Sequence, residues 1–166
     1  MALCDTLLPE FDNEMAVTRR VLERAPEAAF LWRPHDKSWT LGELCTHISQ
    51  IPHWGVAILN HDGYDTVRDA GERSSAKASV ADVLTTFDGF VTAARARLTS
   101  TTDAELMAPW ALKRDGEIVM SMPRFASFKS FALSHLIHHR GQLSVYLRLQ
   151  NVPLPPIYGP TADEGI

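Results

Sequence analysis

The chain has 166 residues, a length that fits one domain and is sufficient to bury a sizeable core. Lys and Arg together number 16 and Asp and Glu together number 20, so the formal charge is −4 at pH 7. This acidic balance argues against a nucleic-acid-binding protein, which needs an excess of basic residues. No run approaches the ~18 apolar residues of a membrane span, and residues 1–14 lack the pattern of a signal peptide. We therefore expect a cytoplasmic protein with no membrane partner.

The cysteines predict no covalent framework. Cys4 and Cys45 lie far apart and form no CxxC motif, which argues against a disulfide scaffold or a zinc knuckle. Cys45 flanks an apolar helix face and is predicted to be a small buried hydrophobic residue, not a nucleophile. Histidine is the residue type that stands out, because three of the 7 histidines lie in HLIHHRGQ, residues 135–142.

The first predicted helix begins at Leu3. Apolar residues recur at spacings of three and four as far as Leu22, which is typical of an amphipathic helix that ends before Pro26. Glu14 falls within this apolar face. We predict a partly exposed position for Glu14 at the edge of the bundle, because a buried carboxylate needs a partner.

The second predicted helix begins after Thr40, which has capping-box spacing with Glu43. Pro52 falls in the middle of its apolar face. Because that face continues to Ile58, we expect a kink at the proline and not the end of the helix. The polar residues 61–78 that follow are predicted to form a loop.

Two short signals mark the third helix and a hairpin. Ser79 and Asp82 predict the start of a helix whose apolar face runs to Leu98. Further along, an Asp-Gly turn at residues 115 and 116 separates two short apolar runs, which predicts a small β-hairpin.

The fourth predicted helix begins near Pro123 and runs uninterrupted to about Leu149. Four amphipathic helices of comparable length indicate an all-α four-helix bundle, with the hairpin preceding the last helix. We expect residues 1–166 to form one such domain.

Two histidines share the predicted buried face of the fourth helix. At ~100° per residue, His138 lies at the edge of this face and Arg140 points elsewhere. Imidazoles at positions i and i+4 can reach one ion, although the segment lacks the Glu of an HExxH zincin motif. The predicted face comprises Phe128, Phe131, Ala132, His135, His139, Gln142, Tyr146 and Leu149.

His47 supplies the best third ligand, because it lies on the predicted buried face of the second helix. Three imidazoles with an open fourth position are a known catalytic arrangement for zinc and related ions. The alternative, in which each histidine is a hydrogen-bonded core residue, stays open. Burying three imidazoles together without a compensating partner is costly, and this favours the metal site.

The remaining polar and aromatic candidates have two interpretations each. Gln142 and Tyr146 lie beyond His139 on the same face, where they either line a pocket and contact the substrate or are satisfied within the core. The remaining histidines outside the cluster are predicted to lie at the surface or in loops, and the four tryptophans to pack in the core or at corners. These residues are His35, His53, His61, Trp32, Trp39, Trp54 and Trp110.

Three passages of the sequence resemble the DinB/YfiT-like superfamily of metalloenzymes. They are WRPHDKSWTLGELCTH at residues 32–47, HLIHHRGQLSVYLR at residues 135–148, and the tail VPLPPIYGPTADE at residues 152–164. The resemblance implies a four-helix bundle, often a homodimer, with nickel or zinc held by His47, His135 and His139. Relatives of this kind include S-transferases that use a low-molecular-weight thiol.

The resemblance and the histidine pattern together predict a metal-dependent transferase or hydrolase acting on a small molecule. An open coordination position would take water or a substrate thiol and lower its pKa. The alternatives are a metal- or ligand-binding stress protein without turnover and a metal-free structural bundle. A homodimer is expected from the resemblance, with modest physical support from Ile137, Gly141 and Ser144, which lie opposite the histidine face.

Overall fold

The structure is a computed structural model that describes residues 2–69 and 75–165. These residues are mostly helical and include one three-stranded sheet. The helices are α1 (Leu3–Leu22), α2 (Leu41–Gln50), α3 (His53–Asn60), α4 (Val80–Thr99), α5 (Asp103–Met107), α6 (Arg124–Phe128) and α7 (His135–Leu149). The strands are β1 (Gly63–Asp65), β2 (Pro109–Arg114) and β3 (Glu117–Pro123). A 3₁₀ turn covers Glu27–Ala29, and a π-helical turn, Lys129–Ser134, joins α6 to α7.

The long helices pack around one hydrophobic core. α1 and α2 each contact both α4 and α7, and α3 packs on α4 and α6. The mainly helical class is confirmed, whereas the four-helix bundle stays a prediction. In the described ranges, no helix combines the length and the apolar character that crossing a bilayer requires.

Two predicted helix starts are confirmed by their capping bonds. The Glu43 backbone N–H donates to Thr40 Oγ1 at 3.2 Å, and Glu43 in return accepts from the Thr40 N–H at 2.7 Å. The Asp82 N–H donates to Ser79 Oγ at 3.1 Å. Each bond satisfies an N–H group that the first helical turn leaves without an intrahelical acceptor.

The expectation of one kinked helix across Pro52 is wrong, because α2 ends at Gln50 and a separate helix, α3, begins at His53. Ile51 and Pro52 keep right-handed helical dihedral angles, and α3 begins at the next residue. The apolar face continues through Gly55 and Ile58, as predicted. A Cβ atom at Gly55 would lie 3.0 Å from the Phe128 ring, so glycine allows α3 and α6 to approach closely.

The sheet contains the predicted hairpin and one strand that the sequence did not predict. β2 and β3 pair antiparallel across a turn in which Asp115 and Gly116 have φ angles of 50° and 88°. β1 pairs in parallel with β2, so the loop prediction for residues 61–78 is wrong at Gly63–Asp65. Three residues are too few for a period-2 pattern to show. The part of this predicted loop at residues 70–74 lies outside the described residues.

Asp65 ties the end of β1 to the hairpin turn. Its buried carboxylate accepts hydrogen bonds from the backbone N–H groups of Val67, Arg68, Asp115 and Gly116, at 2.6–3.1 Å. Burial by itself would raise the pKa of Asp65, but these four donors outweigh it and lower the pKa to about 2. The carboxylate thus holds β1 in place beside the hairpin turn.

The fourth predicted helix is present, but a π-helical turn divides it into two α-helices. It begins at Arg124 and ends at Leu149, as expected, with the π-helical turn in between. A π-helical turn holds more residues than an α-helical turn and therefore rotates the buried face. Leu149 is consequently 55% exposed, contrary to the predicted face, while Leu136, Arg140, Leu143 and Leu147 are buried.

Candidate metal centre

The structure brings His47 of α2 together with His135 and His139 of α7. The Nε2 atom of His135 lies 3.2 Å from Nε2 of His47 and 3.0 Å from Nε2 of His139. One ring nitrogen from each residue lies within 4.8 Å of the others, so the three could hold a metal ion. With Zn–N bonds of ~2.0 Å, two ligands of a tetrahedral site are about 3.3 Å apart, close to the observed spacings.

The surroundings of the cluster favour neutral imidazoles, the form that binds metal. Burial lowers the pKa of His135, and the neighbouring His139 lowers it further. A hydrogen bond to the Phe131 backbone raises this pKa but does not outweigh the two other effects. Burial likewise lowers the pKa of His139, although its bond to Gln142 opposes the shift. Both rings are therefore less readily protonated than a histidine in solution.

Gln142 orients one ring of the cluster. Its Oε1 lies 2.9 Å from Nδ1 of His139, and an amide oxygen can only accept, so Nδ1 carries the hydrogen. This assignment leaves Nε2 of His139 with a free lone pair that faces the other two rings. Hydrogen bonds of this kind fix the tautomer and orientation of metal-binding histidines.

Tyr146 continues the same network away from the cluster. Gln142 Nε2 donates to the Tyr146 hydroxyl at 3.5 Å, and that hydroxyl donates to the Trp39 carbonyl at 3.3 Å. Tyr146 is only 4% exposed. Both side chains thus have protein partners, and their predicted contact with a substrate stays a prediction.

Trp39 belongs to the surroundings of the cluster, which the sequence interpretation missed by assigning all tryptophans to packing. Its ring centroid lies 4.7 Å from that of His47 and 5.5 Å from that of His139, nearly parallel to the latter. The position of Trp39 could have indicated this role, because it lies in the passage that ends at His47 and carries the family resemblance. The aromatic ring limits the freedom of both imidazoles.

The other candidates lie where the sequence placed them. His138 is exposed and outside the cluster, with its ring edge-on to His139 at 4.7 Å. His35, His53 and His61 are exposed. Cys45 is fully buried, and burial raises the pKa of its thiol to about 12, as expected of a structural residue.

The prediction for Glu14 is wrong. Glu14 is 5% exposed and Arg140 is 1% exposed, and Oε2 of the first lies 2.6 Å from Nη1 of the second. Tyr158 joins the pair, since its hydroxyl donates to Glu14 at 2.9 Å and accepts from Arg140 at 2.7 Å. The sequence showed Glu14 on an apolar face, but it did not show the partner that allows a carboxylate to be buried there.

Two clefts meet at His47 of the cluster, and His47 and Gln50 line both of them. The first cleft, of about 280 Å³, is bordered by Trp39, Glu43 and Thr46 and by Ser75 and Ala76. The second, of about 400 Å³, is bordered mainly by aromatic and apolar side chains of α3, β1 and α4. Small molecules therefore have space on two sides of His47.

The fold and the cluster define a mainly helical protein with a candidate three-histidine metal site between two helices. The family model of the DinB superfamily matches residues 10–143, and the chain belongs to this superfamily.

Relatives of known sequence and structure agree with this assignment. The chain is 26% identical over 162 residues to the uncharacterized protein YrdA of Bacillus subtilis strain 168, covering 96% of this chain and 90% of YrdA. A DinB-like protein of Bacillus cereus has a similar crystal structure, with a TM-score of 0.71, 21% identity and coverage of 91% and 95% of the two chains. The DinB-like protein YjoA of Bacillus subtilis gives a TM-score of 0.70 at 19% identity, with coverage of 92% and 97%. At these identities, the two crystal structures support the fold alone.

Proposed function

We propose that this protein is a metal-dependent enzyme in which His47, His135 and His139 bind one divalent ion, nickel or zinc. The observation that carries the proposal is the convergence of three imidazole nitrogens within 4.8 Å of one another, one of them on His47, which lines two clefts. The Gln142 bond to His139 supports it, because it leaves Nε2 of that ring unprotonated and facing the cluster.

The reaction proposed is transfer of a low-molecular-weight thiol to an electrophilic small molecule. A bound divalent ion supplies Lewis acidity that lowers the pKa of a thiol or of water. In the transfer, the thiol proton passes to solvent and the sulfur lone pair forms a new C–S bond. The leaving group departs with the electron pair of the bond that breaks. A hydrolase would use water in place of the thiol.

The residues around the cluster would orient and shield the reactants. Trp39 packs against two of the imidazoles and borders the smaller cleft. Gln142, which holds the His139 ring, and Tyr146 are proposed to contact the substrate outside the two clefts, and no residue is assigned as acid or base. Because His47 lines both clefts, a molecule bound in either cleft would lie beside the cluster.

A binding protein without turnover is the second candidate. It is favoured by the engagement of Gln142 and Tyr146 with protein groups, since neither lines the two clefts. Such a protein would bind metal or a small ligand in response to stress. It would show ligand-induced melting shifts without consuming substrate.

We also propose that residues 1–166 form one four-helix-bundle domain that assembles as a homodimer through α7. Gly141 is exposed on this helix, and Val145 and Leu149, which follow at spacings of four residues, are more than half exposed. Ile137 and Ser144 flank the same surface. Sedimentation at micromolar concentration would show twice the chain mass of 18.5 kDa, and a species of only 18.5 kDa would contradict the dimer.

Elemental analysis of untagged protein, followed by a screen of thiols with an electrophile, tests the proposed function. We expect one ion per chain and thiol consumption only in the metal-loaded form. Metal binding with melting shifts but no consumption would favour the binding protein. Full thermal stability without any bound metal would favour the metal-free structural bundle.

A further inference from the structure

The larger cleft beside the histidine cluster has a composition that the proposed metal chemistry does not explain. Its walls are formed mainly by Ile51, Trp54, Ala57, Tyr64 and Phe90, and its volume is about 400 Å³. The smaller cleft is bordered by Glu43, Thr46 and Ser75 and is more polar. Two clefts of different chemistry that share His47 are suited to two different molecules.

The aromatic walls are held in place by contacts among themselves. Trp54 lies edge-to-face with Tyr64 at a centroid distance of 4.7 Å and is backed by Phe131 at 5.8 Å. The Phe90 ring, which also lines this cleft, lies 5.0 Å from the His53 ring between centroids. Rings fixed in this way offer flat surfaces to a ligand at little entropic cost, and they favour stacked or edge-on aromatic partners.

Gln50 provides a polar group where the two clefts join. Its amide makes no hydrogen bond within the described ranges 2–69 and 75–165 and borders both spaces. A side-chain amide can donate and accept at once, so it suits a carbonyl or amide group on a ligand. His47, His53 and Asp69 are the other polar residues of the larger cleft. A small number of polar groups beside aromatic and apolar walls is typical of sites for small molecules.

We infer that the larger cleft binds the electrophilic substrate, and that this substrate is a planar aromatic or conjugated molecule whose carbonyl group meets Gln50 beside His47. The inference rests on the proposed function, because it assigns one of that enzyme's two reactants to this cleft. The smaller, more polar cleft is then left for the second reactant.

The test is a binding measurement with two matched probes, 2-naphthamide and its saturated analogue decahydro-2-naphthamide. The two share a skeleton and an amide group, but only the first is planar. Titrations followed by calorimetry, with metal-free and zinc-loaded protein, should show at least tenfold tighter binding of 2-naphthamide. Equal affinity for the two probes would overturn the inference about the substrate class.

Two variants test the location. Ala57→Phe fills the cleft and should weaken 2-naphthamide binding at least tenfold, with metal content unchanged. Ala96→Phe adds the same ring at an exposed position of α4 outside the cleft and should leave binding unchanged. An equal effect of Ala57→Phe and Ala96→Phe on 2-naphthamide binding would overturn the location. Gln50→Ala tests the polar contact and should weaken 2-naphthamide binding several-fold.

The outcomes separate this inference from the proposed function. A protein that holds one ion per chain but binds neither probe overturns the cleft assignment and leaves the metal proposal standing. A protein that holds no ion but binds 2-naphthamide in a manner sensitive to Ala57→Phe supports the cleft and removes the metal chemistry.

Discussion

The Glu14 carboxylate and the Arg140 guanidinium form a buried ion pair, 2.6 Å long, that joins α1 to the helix carrying His135 and His139. Arg140 follows His139 directly in the sequence, so its side chain leaves α7 on a different side from the imidazole. One residue thus faces the cluster and the next anchors the helix to α1. The two charges are separated by 126 positions in the chain.

Removal of one member of this pair should be strongly destabilising. Arg140→Ala leaves the Glu14 carboxylate buried without its partner, a change that costs about 3–5 kcal/mol of unfolding free energy. The exposed pair Arg95–Asp12 is the matched control, and Arg95→Ala should cost ~0–1 kcal/mol. Urea denaturation measures both values. A loss for Arg140→Ala as small as that for Arg95→Ala would show that the pair contributes little.

Metal content should distinguish ligands from the neighbouring histidine. His47→Ala, His135→Ala and His139→Ala should each remove most of the bound ion, because two imidazoles rarely hold a divalent ion against water. His138→Ala is the control in the same helix and should retain it. The measurement is metal per chain by elemental analysis. Metal loss in His138→Ala with retention in His135→Ala would mean that the assigned helix face is wrong.

Metal binding should also stabilise the fold. An ion that binds only the native state adds its binding free energy to that of folding. The melting temperature of the wild type should therefore rise as zinc is added and fall with a chelator. His139→Ala should show neither change, and a zinc-dependent rise in that variant would point to a different binding site.

Gln142 should act on metal affinity without being a ligand. Gln142→Leu removes the acceptor that orients Nδ1 of His139, and loss of such a bond costs about 10–100-fold in metal affinity. Gln142→Glu keeps an acceptor oxygen at the same position and should bind at least as well as the wild type. Competition with a chromogenic chelator gives the dissociation constants. Equal affinities for the Leu and Glu variants would exclude an orienting role.

The sheet should weaken in acid through Asp65. Its pKa is lowered to about 2 in the folded protein, below the value of about 3.9 in an unfolded chain. The ionised carboxylate therefore stabilises the fold fully above pH ~5, and the contribution is lost as the pH falls toward 2. The free energy of unfolding of Asp65→Asn should fall furthest below that of the wild type near neutral pH. The difference between the two free energies should shrink in acid. Asp36→Asn, at an exposed position, is the control for denaturation across this range.

Thiol reactivity should differ between the two cysteines. Burial raises the pKa of Cys45 to about 12, so its thiol stays protonated and inaccessible at pH 8. Cys4 is half-buried near the start of α1. We expect one reactive thiol per chain with Ellman's reagent in the native state and two after denaturation. A Cys4→Ser variant should show no reactive thiol until it unfolds.

Local sequence patterns were sufficient to predict the features that depend on a few neighbouring residues. Thr40 and Glu43 predicted the start of α2, and Asp115 with Gly116 predicted the hairpin turn, because capping and turn geometry are set within four residues. The i, i+4 spacing of His135 and His139 placed both rings on one side of α7 for the same reason. His47 required the further assumption that its apolar face is buried.

Features that depend on distant or irregular parts of the chain became visible only in the folded structure. The π-helical turn at Lys129–Ser134 breaks the constant step of 100° per residue, so periodicity misplaced Leu149. β1 exists because β2 and the hairpin turn supply its partners, and Glu14 is buried because Arg140 lies across the interface between α1 and α7. No local pattern encodes such pairings, since their stability comes from groups that only folding brings into contact.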